Sequence, residues 1–204
     1  MSRSFLIAAG ASLCVSVLAA HLTANGDSDA PPDVTVAVDR GTYSVTARFE
    51  VPETPGVALA VLSDYEQIPR FMPDVRTSVI LERASDHLII EQEAVSQYMM
   101  FSKKVHLVLE VTEDGDTIRF VDRAHDSFTV YEGSWRVTPQ TAGTTGAAVA
   151  YAVTARPAFD VPGFILKRLL TRDSRQMIKG LRREITAQAA RTLPEAVHIS
   201  RGSP

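Results

Sequence analysis

Hydrophobic and polar positions alternate along most of this chain and then change to a helical period. Val34, Val36 and Val38 alternate with polar residues, Asp39-Arg40-Gly41 supplies a turn, and Tyr43, Val45, Ala47, Phe49 and Val51 alternate again. A period of two sends successive side chains to opposite faces, so each run predicts a strand with one covered face. The pattern returns over 76–83, 88–96, 101–112, 117–122, 128–138 and 147–156. In the third of these, Val105, Leu107, Leu109 and Val111 face one way and Lys104, His106 and Glu110 the other. Tyr131, Gly133, Trp135 and Val137 share a face, as do Val149, Tyr151 and Val153. Polar turns separate the runs at Ala84-Ser85-Asp86-His87, Glu113-Asp114-Gly115-Asp116 and Gly143-Thr144-Thr145-Gly146.

Two departures from alternation predict helices. Thr54-Pro55 offers a capping hydroxyl followed by proline in the first turn, which starts a short helix over 57–62. Ser63 or Asp64 can cap a second one running to about Arg70, limited by Pro69 and Pro73. Both are expected to pack on the sheet through Leu59, Leu62, Ile68 and Phe71. From Pro162 to about Ala190, Leu166, Leu170, Met177, Leu181 and Ile185 recur at spacings of three and four, with Ser174 on the same line. That is one long amphipathic helix, roughly 40 Å at 1.5 Å per residue. A single rod laid across a curved antiparallel sheet does not touch all of it, so an apolar cavity between the two is expected.

The N-terminus reads as a targeting segment. Arg3 precedes an uncharged apolar run over 5–20, and small residues follow at Ala19, Ala20 and Ala24. This is the layout of a secretory signal peptide of residues 1–20, with cleavage as late as Ala24, and predicts a periplasmic or extracellular protein. An uncleaved signal anchor tethering the chain to a membrane is the alternative. Residues 21–33 read as a linker, 34–190 as one domain and 191–204 as a flexible tail. Removing the signal also removes Cys14, the only cysteine, so thiol chemistry and disulfides drop out. The net charge of -3 speaks against a nucleic-acid partner.

Asp64-Tyr65-x-x-x-Pro69-x-Phe71-x-Pro73, Tyr131-x-Gly133-x-Trp135-x-Val137 and the Gly143-Thr144-Thr145 turn resemble one family. It is the START-like (helix-grip) superfamily, in its coenzyme-Q-binding and polyketide cyclase/dehydrase branch. The resemblance runs from about Val34 to Ala189. It implies an α+β helix-grip fold: a curved antiparallel sheet of six to seven strands around one long C-terminal helix, with two short helices after the first strand. It also implies an apolar ligand in the cavity, such as a lipid, an isoprenoid quinone or a polycyclic compound. Some members are instead cyclases or dehydratases.

On these grounds Tyr98, Met100, Phe120, Tyr131, Trp135, Tyr151, Phe164 and Met177 are the candidate cavity walls, since ligand pockets are mostly apolar and methionine adapts to irregular shapes. Met99 and Phe101 extend the first cluster to a strand bend near the pocket mouth. No catalytic residue is assigned. His125-Asp126 is the nearest approach to an acid/base pair, but neighbours on an extended strand point apart. No metal-ligand spacing, phosphate loop or cofactor motif is present. The expected function is an exported carrier of a hydrophobic small molecule, with a polyketide cyclase or dehydratase as the alternative. Lys167, Arg168, Arg172 and Arg175 on the terminal helix are the candidate contact with an anionic membrane surface.

Overall fold

In a computed structural model of the chain, residues 32–98, 101–140 and 145–192 are described, the side chains of 96–98 and 101 excepted. Eight strands make a single antiparallel sheet: β1 (Asp33–Asp39), β2 (Thr42–Val51), β3 (Val75–Arg83), β4 (Leu88–Tyr98), β5 (Phe101–Asp114), β6 (Thr117–Asp122), β7 (Phe128–Pro139) and β8 (Ala147–Pro157). Their spatial order is β1-β2-β8-β7-β6-β5-β4-β3. Consecutive strands from β3 to β8 are antiparallel neighbours. β2 sits beside the last strand, so the chain crosses once, between β2 and β3. That crossing carries the helices α1 (Pro55–Leu62) and α2 (Ile68–Phe71), with a 3-10 turn at Tyr65–Gln67 between them. The last element, α3 (Gly163–Thr192), is the long helix.

The alternating pattern fixes which face is covered. In β2, Tyr43, Val45, Ala47, Phe49 and Val51 are all buried while their neighbours face outward. Opposite them stand Ile178, Leu181 and Ile185 of α3, each with no exposed surface. Burying an aliphatic side chain of this size contributes about 1.5–3 kcal/mol, so these three contacts alone anchor the helix. Ser174 lies on the same buried line, as its spacing predicts. Ile178 belongs to that line as well, although the sequence reading passed over it.

Two expectations need adjustment. The resemblance implies six or seven strands, whereas eight form. The additional one is the edge strand β1, which the alternation at 34–38 marks directly. It closes onto β2 through Arg40 and Gly41, both with positive φ (45° and 80°), the conformation of a tight two-residue hairpin. The helix pair also differs in detail: α1 begins two residues earlier than expected, at Pro55, and the first turn of the second segment is a 3-10 turn, so that α2 itself begins only at Ile68. Thr54 occupies the capping position of α1 without a side-chain cap bond. Pro69 sits in the first turn of α2, where its missing N–H does no harm, and Met72 turns extended ahead of Pro73, ending the helix. The Gly143-Thr144 half of the expected β7–β8 turn lies outside the described residues.

Candidate functional site

Between the sheet, the α1–α2 segment and α3 lies a cavity of about 90 Å³. Its floor comes from inward positions of five consecutive strands: Ile90 and Gln92 (β4), Leu109 and Val111 (β5), Ile118 and Phe120 (β6), Tyr131 and Trp135 (β7), and Tyr151 (β8). Leu62, Tyr65, Ile68, Phe71 and Met72 form one wall and Met177 of α3 another.

The floor depends on a glycine. Phe120 and Gly133 are cross-strand partners, and a Cβ at Gly133 would stand 2.6 Å from Cζ of Phe120. Only a residue without a side chain lets that ring lie over the strand. Phe120 in turn packs on Tyr131, with ring centroids 5.8 Å apart, and Tyr131 on Phe128 at 5.0 Å. Trp135 and Tyr151 stack at 4.3 Å. The result is a rigid aromatic bed in the middle of the sheet.

Few polar groups reach this space, and each has a defined state. The Tyr65 hydroxyl donates to Oε1 of Glu113 at 2.5 Å. Burial raises its pKa, and the hydrogen bond to the carboxylate adds to the rise, so Tyr65 is a phenol throughout the neutral range. Gln92 Nε2 donates to Ser78 Oγ at 3.1 Å. The hydroxyls of Tyr131 and Tyr151 bond to each other deep in the cavity. Burial pushes Tyr131 up to about 12, with the bond from Tyr151 acting in the opposite sense, and burial drives Tyr151 well above 10.0. Two phenols offer two protons, and one bond between them uses one. The other can serve an acceptor on a ligand.

Five of the eight candidate wall residues, Phe120, Tyr131, Trp135, Tyr151 and Met177, line this one cavity. Phe164 does not: it is 77% exposed on the first turn of α3. It precedes Leu166 by two residues, about 200° of helical rotation, so Leu166 faces the core and Phe164 faces away. The side chain of Tyr98 and the whole of Met100 lie outside the described residues, as do those of the neighbouring Phe101 and Met99. Leu62, Tyr65, Ile68, Phe71 and Met72 were missed as cavity residues, because the sequence shows only that the helix pair packs inward.

The histidines stand elsewhere. His106, on the outer face of β5, lies between two carboxylates: Nε2 is 3.1 Å from Glu91 and Nδ1 2.9 Å from Asp126. The bond to Glu91 and then that to Asp126 raise its pKa. His125 has positive φ (59°), and its backbone N–H is held by Asp122, so its neighbour Asp126 points to His106 rather than pairing with it. Among the described residues no three His, Cys, Asp or Glu side chains gather as a metal site requires. A broader hollow of about 370 Å³ lies on the other side of the same strands, over Ser44, Thr46, Ser134, Ala152 and Thr154. It marks where small side chains leave the sheet thinly covered.

Residues 51–182 match the family model described as polyketide cyclase / dehydrase and lipid transport. Solved structures of the same shape include a START superfamily protein from Mycobacterium smegmatis, at 18% identity and TM-score 0.61, covering 71% of this chain and 97% of that one. A STAR-related lipid transfer protein from Xanthomonas axonopodis has 16% identity and TM-score 0.58, over 75% and 98% of the two chains. The Zhui aromatase/cyclase from Streptomyces sp. R1128 has 12% identity and TM-score 0.62, over 72% and 96%. At these identities the likeness is one of fold. No curated protein matches the chain.

Proposed function

The chain belongs to the polyketide cyclase / dehydrase and lipid transport family, and on that premise we propose that it is an exported carrier of a hydrophobic small molecule. The observation that carries this reading is the composition of the cavity. Its walls are aliphatic and aromatic, and its polar groups are phenols and one amide. Raised pKa values keep those phenols protonated at neutral pH, where they donate hydrogen bonds but do not remove a proton. Such a lining holds an apolar body and one oxygen. Export is supported by Arg3 and the apolar run over 5–20, whose layout is that of a secretory signal.

A volume of about 90 Å³ is smaller than the roughly 300–1,000 Å³ of pockets that enclose drug-sized ligands. An isoprenoid, fatty acyl or polycyclic guest therefore requires the wall formed by Tyr65, Ile68, Phe71 and Met72 to move outward. The gain is desolvation, roughly 25 cal/mol per Å² of apolar surface removed from water. The second reading, a cyclase or dehydratase, draws on the Tyr131–Tyr151 pair, which could hold a carbonyl oxygen while a ring closes.

Trp135 is the only tryptophan and forms part of the cavity floor. Titration with a short-chain quinone, a fatty acid and a polycyclic ketone, read by Trp135 emission, is the direct test. Saturable change with at least one of them, absent for a polar analogue, is expected. No saturable change with any of the three, together with an empty protein by native mass spectrometry, would refute the carrier.

A further inference from the structure

The outward side of α3 is a row of cations. The helix contains eight basic and two acidic residues, a net +6, within a chain of net -3. At 100° per residue, Arg168, Arg175, Lys179 and Arg183 fall within an arc of about 80° opposite the buried line, and all four are exposed. The acidic residues lie off this arc and are engaged: Asp173 with Arg172 and Glu184 with Arg191. Among the described residues, none of Lys167, Arg168, Arg175, Lys179 and Arg183 forms an ion pair. A row of exposed like charges without counter-charges raises a local positive potential that attracts an anionic surface.

Phe164 stands at the start of this row, one turn before Arg168, and at 77% is the most exposed large hydrophobic among the described residues. An aromatic ring beside cations suits the water–lipid boundary, where the ring enters the headgroup layer and the cations meet lipid phosphates. We propose that this face of α3 docks the protein on an anionic membrane surface, with Phe164 as the inserted side chain. A flat bilayer touches only the basic face and leaves the acidic remainder of the molecule turned away. A nucleic acid that wraps further would meet that acidic remainder. The contact does not depend on what fills the cavity.

The test uses the full chain and phosphatidylcholine vesicles with and without phosphatidylglycerol, read by co-sedimentation. Binding is expected only with the anionic lipid and falls as salt is raised. The triple variant Arg175→Gln, Lys179→Gln, Arg183→Gln should weaken it on the order of 100-fold, and Phe164→Ala by several-fold. All the substituted side chains are exposed, and thermal unfolding checks the fold. If the triple variant does not fold, Lys179→Gln alone, expected to cost about fivefold, carries the test. Three outcomes overturn the proposal. Equal binding to both vesicle types, unmoved by the variants, would place the contact in the apolar run over 5–20. Absence of binding to either type would remove it altogether. Binding to an anionic polymer such as heparin with none to vesicles would assign the face to a different partner.

Discussion

Gly180 of α3 lies directly against the backbone carbonyl of Phe71 at the end of α2, so closely that a Cβ at Gly180 would overlap that oxygen. This is where the crossing segment meets the long helix, and it sets how far the wall of the cavity can close. Gly180→Ala must therefore push α2 away from α3. Overpacking of this kind costs about 1–3 kcal/mol, and the ~1 kcal/mol that alanine gains over glycine within a helix works against it. The expected outcome is a lower Tm together with a larger Trp135 response to solvent quenchers. A raised Tm would mean that the two helices are not in contact.

The hydrogen bond from Tyr65 to Glu113 ties the same segment to the end of β5. Tyr65→Phe removes it without changing the shape of the ring. A stability loss of about 1–2 kcal/mol is expected, with faster proteolysis between Asp64 and Pro73 and a faster ligand on-rate. Unchanged cleavage of that segment would show that the bond does not restrain it.

Asp122 organises the β6–β7 connection. Its carboxylate is fully buried and accepts backbone N–H groups from Val108 at 3.0 Å, Ala124 at 3.2 Å and His125 at 3.0 Å. Asp122→Ala strands three donors and should cost about 3 kcal/mol or more. Asp122→Asn keeps an acceptor oxygen and should cost less. Chemical denaturation of the two variants ranks them, and equal losses would contradict this account.

His106 should make stability depend on pH. Its folded pKa lies above the ordinary value because Glu91 and Asp126 hold the charged form. The contribution is therefore complete below the unfolded value of about 6.5 and is lost as pH rises through the folded value. The midpoint difference between wild type and His106→Gln, measured in urea, should be larger at about pH 5.5 than at about pH 8.5. The opposite order would mean that the imidazole is neutral in its pocket. The effect should be modest, since the pair is partly exposed and screened by solvent.

The strand faces were legible because each rests on local periodicity. Tyr43 to Val51 and Val149 to Val153 show their buried side in the order of their residues alone, and Leu166, Ser174, Leu181 and Ile185 do the same for α3. Phe164 was also decidable from its phase relative to Leu166, but its aromatic character outweighed that count. Ile178 was overlooked for a related reason: it neighbours Met177, and the helix buries an arc wider than a single line.

Pairings between distant residues were not legible. Tyr65 and Glu113 are 48 positions apart, His106 and Asp126 20, and nothing local connects either pair. Alternation dictated that the chain makes strands with one greasy face, and the period-3.6 run dictated a helix to cover them, because side-chain direction follows from backbone geometry at each residue. How much empty space remains beneath that helix, and which phenols and carboxylates meet around it, was settled only by the folded chain. Those depend on sheet curvature and on the close approach at Gly180, quantities set by the sum of all contacts rather than by any one stretch of residues.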